Sequence, residues 1–191
     1  MADGRPAVFL DRDGTVVEDP PPGFLHQPGK VKLLPGAGEA IRRLNDAGYL
    51  VVAVTNQSGI ARGLYTVADY EAVQRRLTAL LTTHHACLDG SYFCPHHPAF
   101  TGPCDCRKPG TKLFKDAQAA LGIDFTRSWW VGDRLGDVQP ARLLRGRGIR
   151  VMSGRGSLHQ GQARALNVTV VADLAAAADE IAAARPNARR P

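Results

Sequence analysis

The sequence predicts an α/β fold with a mainly parallel sheet, because short apolar runs alternate along the chain with amphipathic helical patterns. The short runs are rich in β-branched residues, and each is followed by a turn or a polar loop. Between them, apolar residues recur at the spacing of one helix face. This alternation is typical of folds in which ligands bind beyond the carboxyl ends of the strands. Those strand ends are therefore the expected location of the chemistry.

Each element follows from a local pattern. The predicted strands cover residues 7–10, 50–55, 129–132, 149–152 and 168–171. The predicted helices cover residues 40–47, 67–80, 114–121, 138–144 and 174–181. Gly48 and Gly122 directly follow two of these helices, and glycine in this position is a typical helix stop signal.

Length and composition indicate one globular domain. A chain of 191 residues with 44% hydrophobic residues is long enough to bury a core. We predict a single domain over residues 1–184, followed by a flexible basic tail over residues 185–191 that has little to bury. We expect the protein to be a monomer.

The N-terminal sequence and the charge limit the function classes. The chain has no run of about 18 apolar residues. Its start, MADGRPAVFLDRDGT, lacks the basic and apolar regions of a signal peptide, so we expect a cytoplasmic protein without a membrane partner. The formal net charge of +6 comes from dispersed basic residues, which indicate an anionic ligand more than nucleic acid.

The first predicted strand ends in LDRDGT, which places Asp11 and Asp13 two residues apart. Both side chains leave the strand on the same side, and Gly14 permits the sharp turn that brings them over the sheet edge. Two carboxylates so close repel each other and call for a cation, for which Mg²⁺ is the natural choice. The motif is also a common turn sequence, so taken alone it leaves a structural role open.

Three further segments supply complementary groups. The second strand runs into TNQSG with Thr55 and Asn56, GDRLGD provides Asp133 and Asp137, and Lys108 precedes a helical run. Each has a structural alternative, which is an Asx turn, a helix N-terminal acid or a solvated lysine, respectively. Together, the four segments supply an acid, a hydroxyl, a cation and an acid in this order. This combination favours a functional site.

A cysteine-rich stretch lies between residues 93 and 110, which read FCPHHPAFTGPCDCRKPG and which we expect to form a loop. Cys94, His96, Cys104 and Cys106 give the pattern C-x-H-x7-C-x-C, whose ligands can surround Zn²⁺ as a tetrahedron. We prefer His96 to His97, because the C-x-H spacing then matches the C-x-C spacing. A disulfide is disfavoured in a reducing cytosol, and buried structural cysteines seldom cluster in this way.

Four protein ligands leave no open position for water, so the predicted zinc is structural. It would hold a loop over residues 92–108 that has no core of its own. Because Arg107 and Lys108 directly follow Cys106, ordering this loop would also order both cations. Cys87 lies outside the cluster, and we expect it to be part of the core.

The segments LDRDGT, TNQSG, RKPG and GDRLGD resemble the four motifs of the haloacid dehalogenase superfamily of phosphohydrolases, in the same order. The resemblance implies a Rossmann-like, three-layer α/β/α fold. The segment between the first motif and Thr55 is too short for a helical lid domain, and the segment between Thr55 and Lys108 holds one amphipathic helix and the predicted zinc loop. We therefore expect a capless enzyme with an open site and a zinc-binding loop.

The resemblance also implies catalytic roles. Asp11 would be the nucleophile that forms an aspartyl-phosphate, and Asp13 would protonate the leaving oxygen and then activate water. Thr55 and Lys108 would bind the oxygens of the transferring phosphoryl group.

The same resemblance implies a magnesium site. Mg²⁺ would be held by the Asp11 carboxylate, the Asp13 backbone carbonyl and Asp133, which would let an anionic nucleophile approach an anionic phosphate. Asp137 would help to position the metal site and would not ligate the metal itself.

Within the superfamily, DRDGT, TNQSGIARG, CPHHP, CDCRKP and GDRLGDVQ are similar to the D-glycero-D-manno-heptose 1,7-bisphosphate 7-phosphatases and to the related histidinol-phosphate phosphatases. TNQSGIARG and CPHHP favour the heptose family, which implies removal of the phosphate at carbon 7 to leave heptose 1-phosphate. Arg62 is a candidate for the distal phosphate on charge alone. The other substrate-binding residues implied by the resemblance are Asp19, Gly23, Phe24, Asn56, Gln57, Ser58, Arg107 and Arg134.

One segment departs from the heptose family. After the first motif that family has a Gly-Tyr-Val-His-like loop, and here VVEDPPPGFLHQPGK places three prolines, at positions 20–22, before Gly23. A polyproline spacer would shift the loop by a residue or two, so a histidinol-phosphate phosphatase stays open as an alternative. A phosphatase of 3′-phosphorylated nucleic-acid ends is a further alternative, although no basic stripe with interleaved aromatic residues is present.

Overall fold

The computed structural model describes residues 4–19, 23–156 and 168–184. The strands of these ranges form one parallel sheet of six strands in the order β3-β2-β1-β4-β5-β6. They are β1 (Ala7–Leu10), β2 (Leu50–Asn56), β3 (Gly90–Cys94), β4 (Trp129–Gly132), β5 (Arg147–Val151) and β6 (Thr169–Val171). The strand order reverses beside β1, which places a crevice for ligands outside the carboxyl ends of β1 and its neighbours.

The helices of the described ranges cover both faces of the sheet. They are α1 (Ala37–Asp46), α2 (Val67–Thr83), α3 (Pro98–Thr101), α4 (Lys112–Leu121), α5 (Leu135–Leu143) and α6 (Leu174–Ala183), with short 3-10 helices at Pro28–Lys30 and Phe125–Arg127. No described helix has the length and apolar character needed to span a membrane.

Alternate residues along each strand face opposite layers, as the pleat of a sheet requires. In β1, Val8 and Leu10 belong to the core beneath α1, α2 and α6. Their neighbours Ala7 and Phe9 belong to a second core beneath α4 and α5. The predicted three-layer α/β/α fold is therefore confirmed.

The second core is built around an aromatic cluster. The ring of Phe9 lies 4.7 Å from Trp130, 5.2 Å from Phe114 and 5.9 Å from Phe125, measured between ring centroids. Phe9 is paired with Val52 of β2 on one side and with Trp130 of β4 on the other, at the centre of the sheet. This packing holds the two strands whose ends carry LDRDGT and GDRLGD.

Several elements differ from the sequence-based expectation. The stretch expected as a loop contains the end of strand β3 and the short helix α3, so Cys94 is the last residue of a strand. Only Cys94 of this edge strand is buried, which explains its weak apolar pattern. Helix α5 begins at Leu135, three residues before the predicted start.

The expectation that Cys87 belongs to the core was wrong, because the residue is exposed. Its backbone N–H donates to Asn45 Oδ1 at 3.0 Å, so it marks the connection between α2 and β3. The predicted basic tail at 185–191 and the prolines at 20–22 lie outside the described residues.

We expect Phe9→Ala to lower the free energy of unfolding by about 3–5 kcal/mol, because it opens a cavity in the aromatic cluster. Urea denaturation followed by circular dichroism would measure the change. Phe100→Ala is the matched control, because Phe100 is 55% exposed; its effect should stay within about 1 kcal/mol. Equal effects of the two substitutions would contradict this account of the core.

Candidate active site

A cavity of about 380 Å³ opens at the carboxyl edge of the sheet. The predicted site residues that line it are Asp11, Asp13, Asp19, Gly23, Phe24, Thr55, Asn56, Gln57, Ser58, Arg62, Arg107, Arg134 and Asp137. Lys108 and Asp133 are buried, with exposures of 5% and 0%. The four segments singled out in the sequence therefore meet at one place.

The Lys108 ammonium is the central contact of the site. Its Nζ lies 2.6 Å from Asp11 Oδ1, 2.7 Å from Asp137 Oδ1 and 2.6 Å from the carbonyl oxygen of Val54. An ammonium group has three N–H donors, so these three acceptors satisfy it completely. Lys108 thereby joins the ends of β1 and β2 to helix α5.

Asn56 anchors the backbone of Lys108. The Lys108 N–H donates to Asn56 Oδ1 at 3.0 Å, and Asn56 Nδ2 donates to the Lys108 carbonyl at 3.2 Å. This pair of hydrogen bonds fixes the residue to the end of β2. Asn56, which was predicted to bind substrate, therefore has its side-chain amide engaged by the backbone of Lys108.

Asp133 shows the features expected of a cation ligand. It is fully buried, its Oδ2 accepts the backbone N–H of Arg155 at 2.7 Å, and its Oδ1 has no hydrogen-bond partner among the described residues. Carboxylate oxygens of Asp11, Asp133 and Asp137 lie within 4.8 Å of one another. A buried carboxylate oxygen without a partner, among hard oxygen ligands, suits Mg²⁺.

Close backbone approach makes room for the Asp133 carboxylate. A Cβ atom at Gly14 would lie 2.8 Å from Asp133 Oδ2, and Gly14 has a φ of +88°. Both facts require glycine there. The glycine of LDRDGT is thus needed for the approach to Asp133 as well as for the turn.

Charge and burial shift the proton equilibria of the site. Burial raises the pKa of Asp11 to about 8, with Lys108 opposing this shift and Asp137 and Asp133 adding to it. Burial also raises the pKa of Asp133 to about 6. Burial alone would lower the pKa of Lys108, but Asp11 and Asp137 raise it above its ordinary value. Lys108 is therefore a cation at neutral pH.

Asp137 is fully engaged by the protein. Its Oδ1 accepts from Lys108, and its Oδ2 accepts the backbone N–H of Arg134 at 2.9 Å, at the start of α5. Both carboxylate oxygens therefore already have partners, so Asp137 is less available than Asp133 to ligate a cation.

Asp13 is held by a pair of neighbours. Arg12 donates from Nε to Asp13 Oδ1 and from Nη2 to Oδ2, both at 3.0 Å, and Gln57 Nε2 donates to Oδ2 at 2.7 Å. The Arg12 guanidinium is fully buried and lies over the ring of Tyr70. The Asp13 side chain keeps 20% exposure toward the cavity.

Four arginines surround the outer part of the cavity. Asp19 Oδ2 lies 3.0 Å from Arg155 Nε and 3.7 Å from Arg134 Nη2. Arg107 Nη1 donates to the carbonyl oxygen of His96 at 3.3 Å. Arg62 Nη2 is 3.0 Å from a ring nitrogen of His97. This rim favours a ligand that carries negative charge away from Asp11.

The cysteine cluster is compatible with a tetrahedral metal. Cys94 Sγ lies 3.7 Å from Cys104 Sγ and 3.1 Å from Cys106 Sγ, and His96 Nδ1 lies 3.2 Å from Cys106 Sγ. Two sulfurs that share a tetrahedral zinc lie roughly 3.8 Å apart, given Zn–S bonds of about 2.3 Å. The cysteines of the described ranges are free thiols, and His97 is engaged at the start of α3 by accepting from Ala99.

Sequence reasoning missed several residues of the site. Leu25, His97 and Arg155 line the cavity, and Arg12 supports it from below. Arg155 follows the carboxyl end of β5, so the strand-end rule applied to the SGRG segment would have found it. Arg12 had no comparable signal, because a charged residue between two aspartates ordinarily faces water.

Comparison with known proteins identifies the family. The HAD-hydrolase-like family, where HAD stands for haloacid dehalogenase, matches residues 105–177. A protein of Photorhabdus laumondii named D-glycero-beta-D-manno-heptose-1,7-bisphosphate 7-phosphatase is 40% identical over 181 residues, which cover 91% of this chain and 95% of that protein. The chain belongs to this heptose bisphosphate phosphatase family. It is a phosphoric monoester hydrolase of the HAD type, as the four motifs predicted.

Other similar proteins support the same family assignment. The protein of the same name from Escherichia coli K12 is 42% identical over 146 residues, covering 74% of this chain and 75% of that protein. A crystal structure of D,D-heptose 1,7-bisphosphate phosphatase from B. bronchiseptica, complexed with magnesium and phosphate, aligns with a TM-score of 0.86 and 33% identity over 94% of this chain and 99% of the other. The counterpart from Burkholderia thailandensis aligns with a TM-score of 0.69 and 30% identity, over 93% and 99% of the two chains.

We expect Mg²⁺ binding near neutral pH to release protons. Because burial raises the pKa of Asp11 to about 8 and that of Asp133 to about 6, a fraction of each carboxyl group carries a proton at pH 7. A bound cation favours the ionised forms, so the apparent affinity should rise as the pH increases from about 6 to about 8. Isothermal titration calorimetry in two buffers of different ionisation enthalpy would count the released protons.

The same titration at about pH 9 is the internal control, since both carboxyls are then largely ionised and proton release should fall toward zero. Identical heats in the two buffers at pH 7 would show that no proton leaves, against the raised pKa values.

Proposed function

We propose that the protein hydrolyses the 7-phosphate of D-glycero-D-manno-heptose 1,7-bisphosphate and leaves heptose 1-phosphate. The observation that carries this proposal is the convergence of Asp11 and Asp13 on one small cavity with an arginine rim. One carboxylate is available to attack phosphorus and the other to move a proton. The names of the similar proteins support this substrate.

The first step is phosphoryl transfer to Asp11. A carboxylate oxygen of Asp11 forms a bond to phosphorus while the bond from phosphorus to the sugar oxygen breaks, and that oxygen takes a proton from Asp13. In the second step a water oxygen attacks the aspartyl-phosphate and gives a proton to Asp13. The bond between phosphorus and Asp11 then breaks, which restores the enzyme.

Two residues would act on the transferring group, Thr55 through a hydrogen bond and Lys108 through its charge. Thr55 Oγ1 accepts from Gln57 Nε2 at 2.8 Å, which leaves the hydroxyl proton of Thr55 free to donate to phosphate. Lys108 offers a permanent positive charge beside Asp11 and offsets charge that accumulates in the transition state.

Asp11, Asp133 and the Asp13 carbonyl would hold Mg²⁺. When bound, the ion neutralises charge so that a carboxylate can approach a phosphate. Asp133 supports this assignment through its unpartnered buried oxygen. Asp137 would keep Lys108 in place.

The arginine rim favours a bisphosphate over histidinol phosphate. Arg62, Arg107, Arg134 and Arg155 line the cavity beyond the catalytic carboxylates, so a second phosphate finds several guanidinium donors. Histidinol phosphate carries a cationic amine, which these arginines would repel. The cavity volume of about 380 Å³ suits a small ligand.

We also propose that Cys94, His96, Cys104 and Cys106 bind a structural Zn²⁺. The ion would fix the path of the chain into Arg107 and Lys108. The hydrogen bond from Arg107 to the His96 carbonyl supports this link between the cluster and the substrate site.

Phosphate release with Mg²⁺ present would test the substrate assignment. The panel holds both anomers of heptose 1,7-bisphosphate, histidinol phosphate and a 3′-phosphorylated oligonucleotide. We expect kcat/KM for a heptose bisphosphate to exceed the other two classes by at least about 100-fold, because one phosphate more or less should change binding in the transition state by a few kcal/mol. The β anomer is expected to be preferred, as in the names of the relatives.

Asp11→Asn serves as the inactive control in this panel. A preference for histidinol phosphate would leave the chemistry intact and reject the substrate. Full activity of Asp11→Asn would instead reject the nucleophile.

We expect Cys106→Ser to abolish zinc binding and to lower the melting temperature, since one ligand of a closed tetrahedral site is lost. Cys87→Ser is the matched control, because Cys87 is an exposed thiol outside the cluster. Metal content by mass spectrometry should give about one zinc for the wild type and the control and almost none for Cys106→Ser. Wild-type protein without zinc, after expression in zinc-supplemented medium, would count against the site.

A further inference from the structure

A chain of buried hydrogen bonds leads from Tyr65 to the candidate acid. The Tyr65 hydroxyl donates to Gln57 Oε1 at 2.6 Å. Gln57 Nε2 then donates to Asp13 Oδ2 at 2.7 Å and to Thr55 Oγ1 at 2.8 Å. Tyr65 is 6% exposed and Gln57 is 3% exposed, so water competes little for these bonds.

The chemistry of the groups defines the direction of this chain. Asp13 Oδ2 accepts from Arg12 Nη2 and from Gln57 Nε2, so the NH₂ end of the Gln57 amide faces Asp13, and a proton carried by Asp13 would lie on Oδ1. The oxygen end then needs a donor, and Tyr65 supplies it. Without the Tyr65 hydroxyl, the buried Gln57 oxygen would lose its hydrogen-bond partner, and the amide would be held only through the contacts of its NH₂ end with Asp13 and Thr55.

Tyr65 itself is held in place by close packing. A Cβ atom at Gly59 would lie only 2.1 Å from Tyr65 Cε1, so the ring occupies the space that glycine leaves open. The ring also stacks on His26 with centroids 5.7 Å apart and lies 5.9 Å from the ring of Phe24, which lines the cavity. Burial raises the pKa of Tyr65, so the phenol is a donor throughout the working pH range.

We propose that Tyr65 is a positioning residue that aims the general acid Asp13 at the leaving oxygen, and that it acts through the Gln57 amide. This inference rests on the proposed function, in which Asp13 supplies that proton. The other described side chain that holds Asp13 is Arg12, which lies beneath it. Gln57 provides the second side-chain contact to Asp13, and Tyr65 holds the Gln57 amide in position. Phe24 and His26 belong to the loop after the first motif, and both pack on Tyr65, so this loop contacts the proposed positioning residue.

A comparison of leaving groups separates this role from a structural one. A sugar alkoxide needs a proton to leave, whereas p-nitrophenolate leaves without one. We therefore expect Tyr65→Phe to lower kcat/KM for the heptose bisphosphate on the order of tenfold, part of the ~10²–10⁴ that acid catalysis contributes. For p-nitrophenyl phosphate the loss should stay below about threefold, because the Thr55 hydroxyl and the Lys108 charge still act on the phosphoryl group. The ratio kcat/KM is used because it reports on phosphoryl transfer and not on the later hydrolysis.

Tyr70→Phe is the matched control. Tyr70 is also buried, and its hydroxyl contacts Ser91 Oγ at 3.1 Å and not Gln57. It should leave the ratio of the two kcat/KM values unchanged. Gln57→Met should reproduce the selective loss, and the double variant with Tyr65→Phe should lose no more than Gln57→Met alone, because both act through one contact. Gln57→Met also serves as the test if Tyr65→Phe does not fold.

Asp13→Asn distinguishes the failure of the inference from that of the proposed function. If Asp13→Asn lowers kcat/KM equally for the heptose bisphosphate and for p-nitrophenyl phosphate, Asp13 is not the general acid. That part of the proposed function is then rejected. If Asp13→Asn is selective for the sugar phosphate but Tyr65→Phe and Gln57→Met are not, the positioning role alone is overturned. Additive losses in the double variant would overturn it as well.

Discussion

The buried ammonium of Lys108 is the contact on which the rest of the site depends. A lysine that is 5% exposed is tolerable only because its three N–H groups meet Asp11, Asp137 and a backbone carbonyl. The same ammonium partly offsets the repulsion among the acids around it. Removing either side of this arrangement would leave uncompensated charge in the interior. The proposed catalytic centre is therefore also a structural centre, which joins β1, β2 and α5.

Neighbouring residues on several sides hold Lys108 in place. Asn56, at the end of β2, forms two hydrogen bonds with the backbone of Lys108. The cysteine cluster ends at Cys106, two residues before Lys108. Beyond it, Arg107 contacts the cluster through the His96 carbonyl. A metal in the cluster would thus act on the chemistry at a distance, by limiting where the chain between Cys106 and the cavity can move. This arrangement supplies rigidity beside the cavity.

A large part of the site was predictable, and the reason is the geometry of parallel sheets. Such sheets bring the carboxyl ends of their strands to one edge, so polar residues that follow apolar runs meet there. Asp11, Thr55 and Asp133 were found in this way. Tyr65 was not found, because it lies beyond the strand end and acts through a side chain of another residue. The edge strand β3 and the exposed position of Cys87 were missed because partly buried segments carry little apolar periodicity.

By itself, the sequence determined the layer architecture and the four segments that meet at the cavity, because hydrophobic periodicity and strand-end chemistry are local signals. It also indicated the candidate metal ligands of the cysteine cluster, since the four residues lie within thirteen positions. Only the tertiary structure decided which partners each side chain has: Asn56 on the backbone of Lys108, Arg155 on Asp133 and Asp19, and Gln57 between Tyr65 and Asp13. Most of those contacts join residues far apart in the chain, and their distances depend on how the strands, helices and loops pack together.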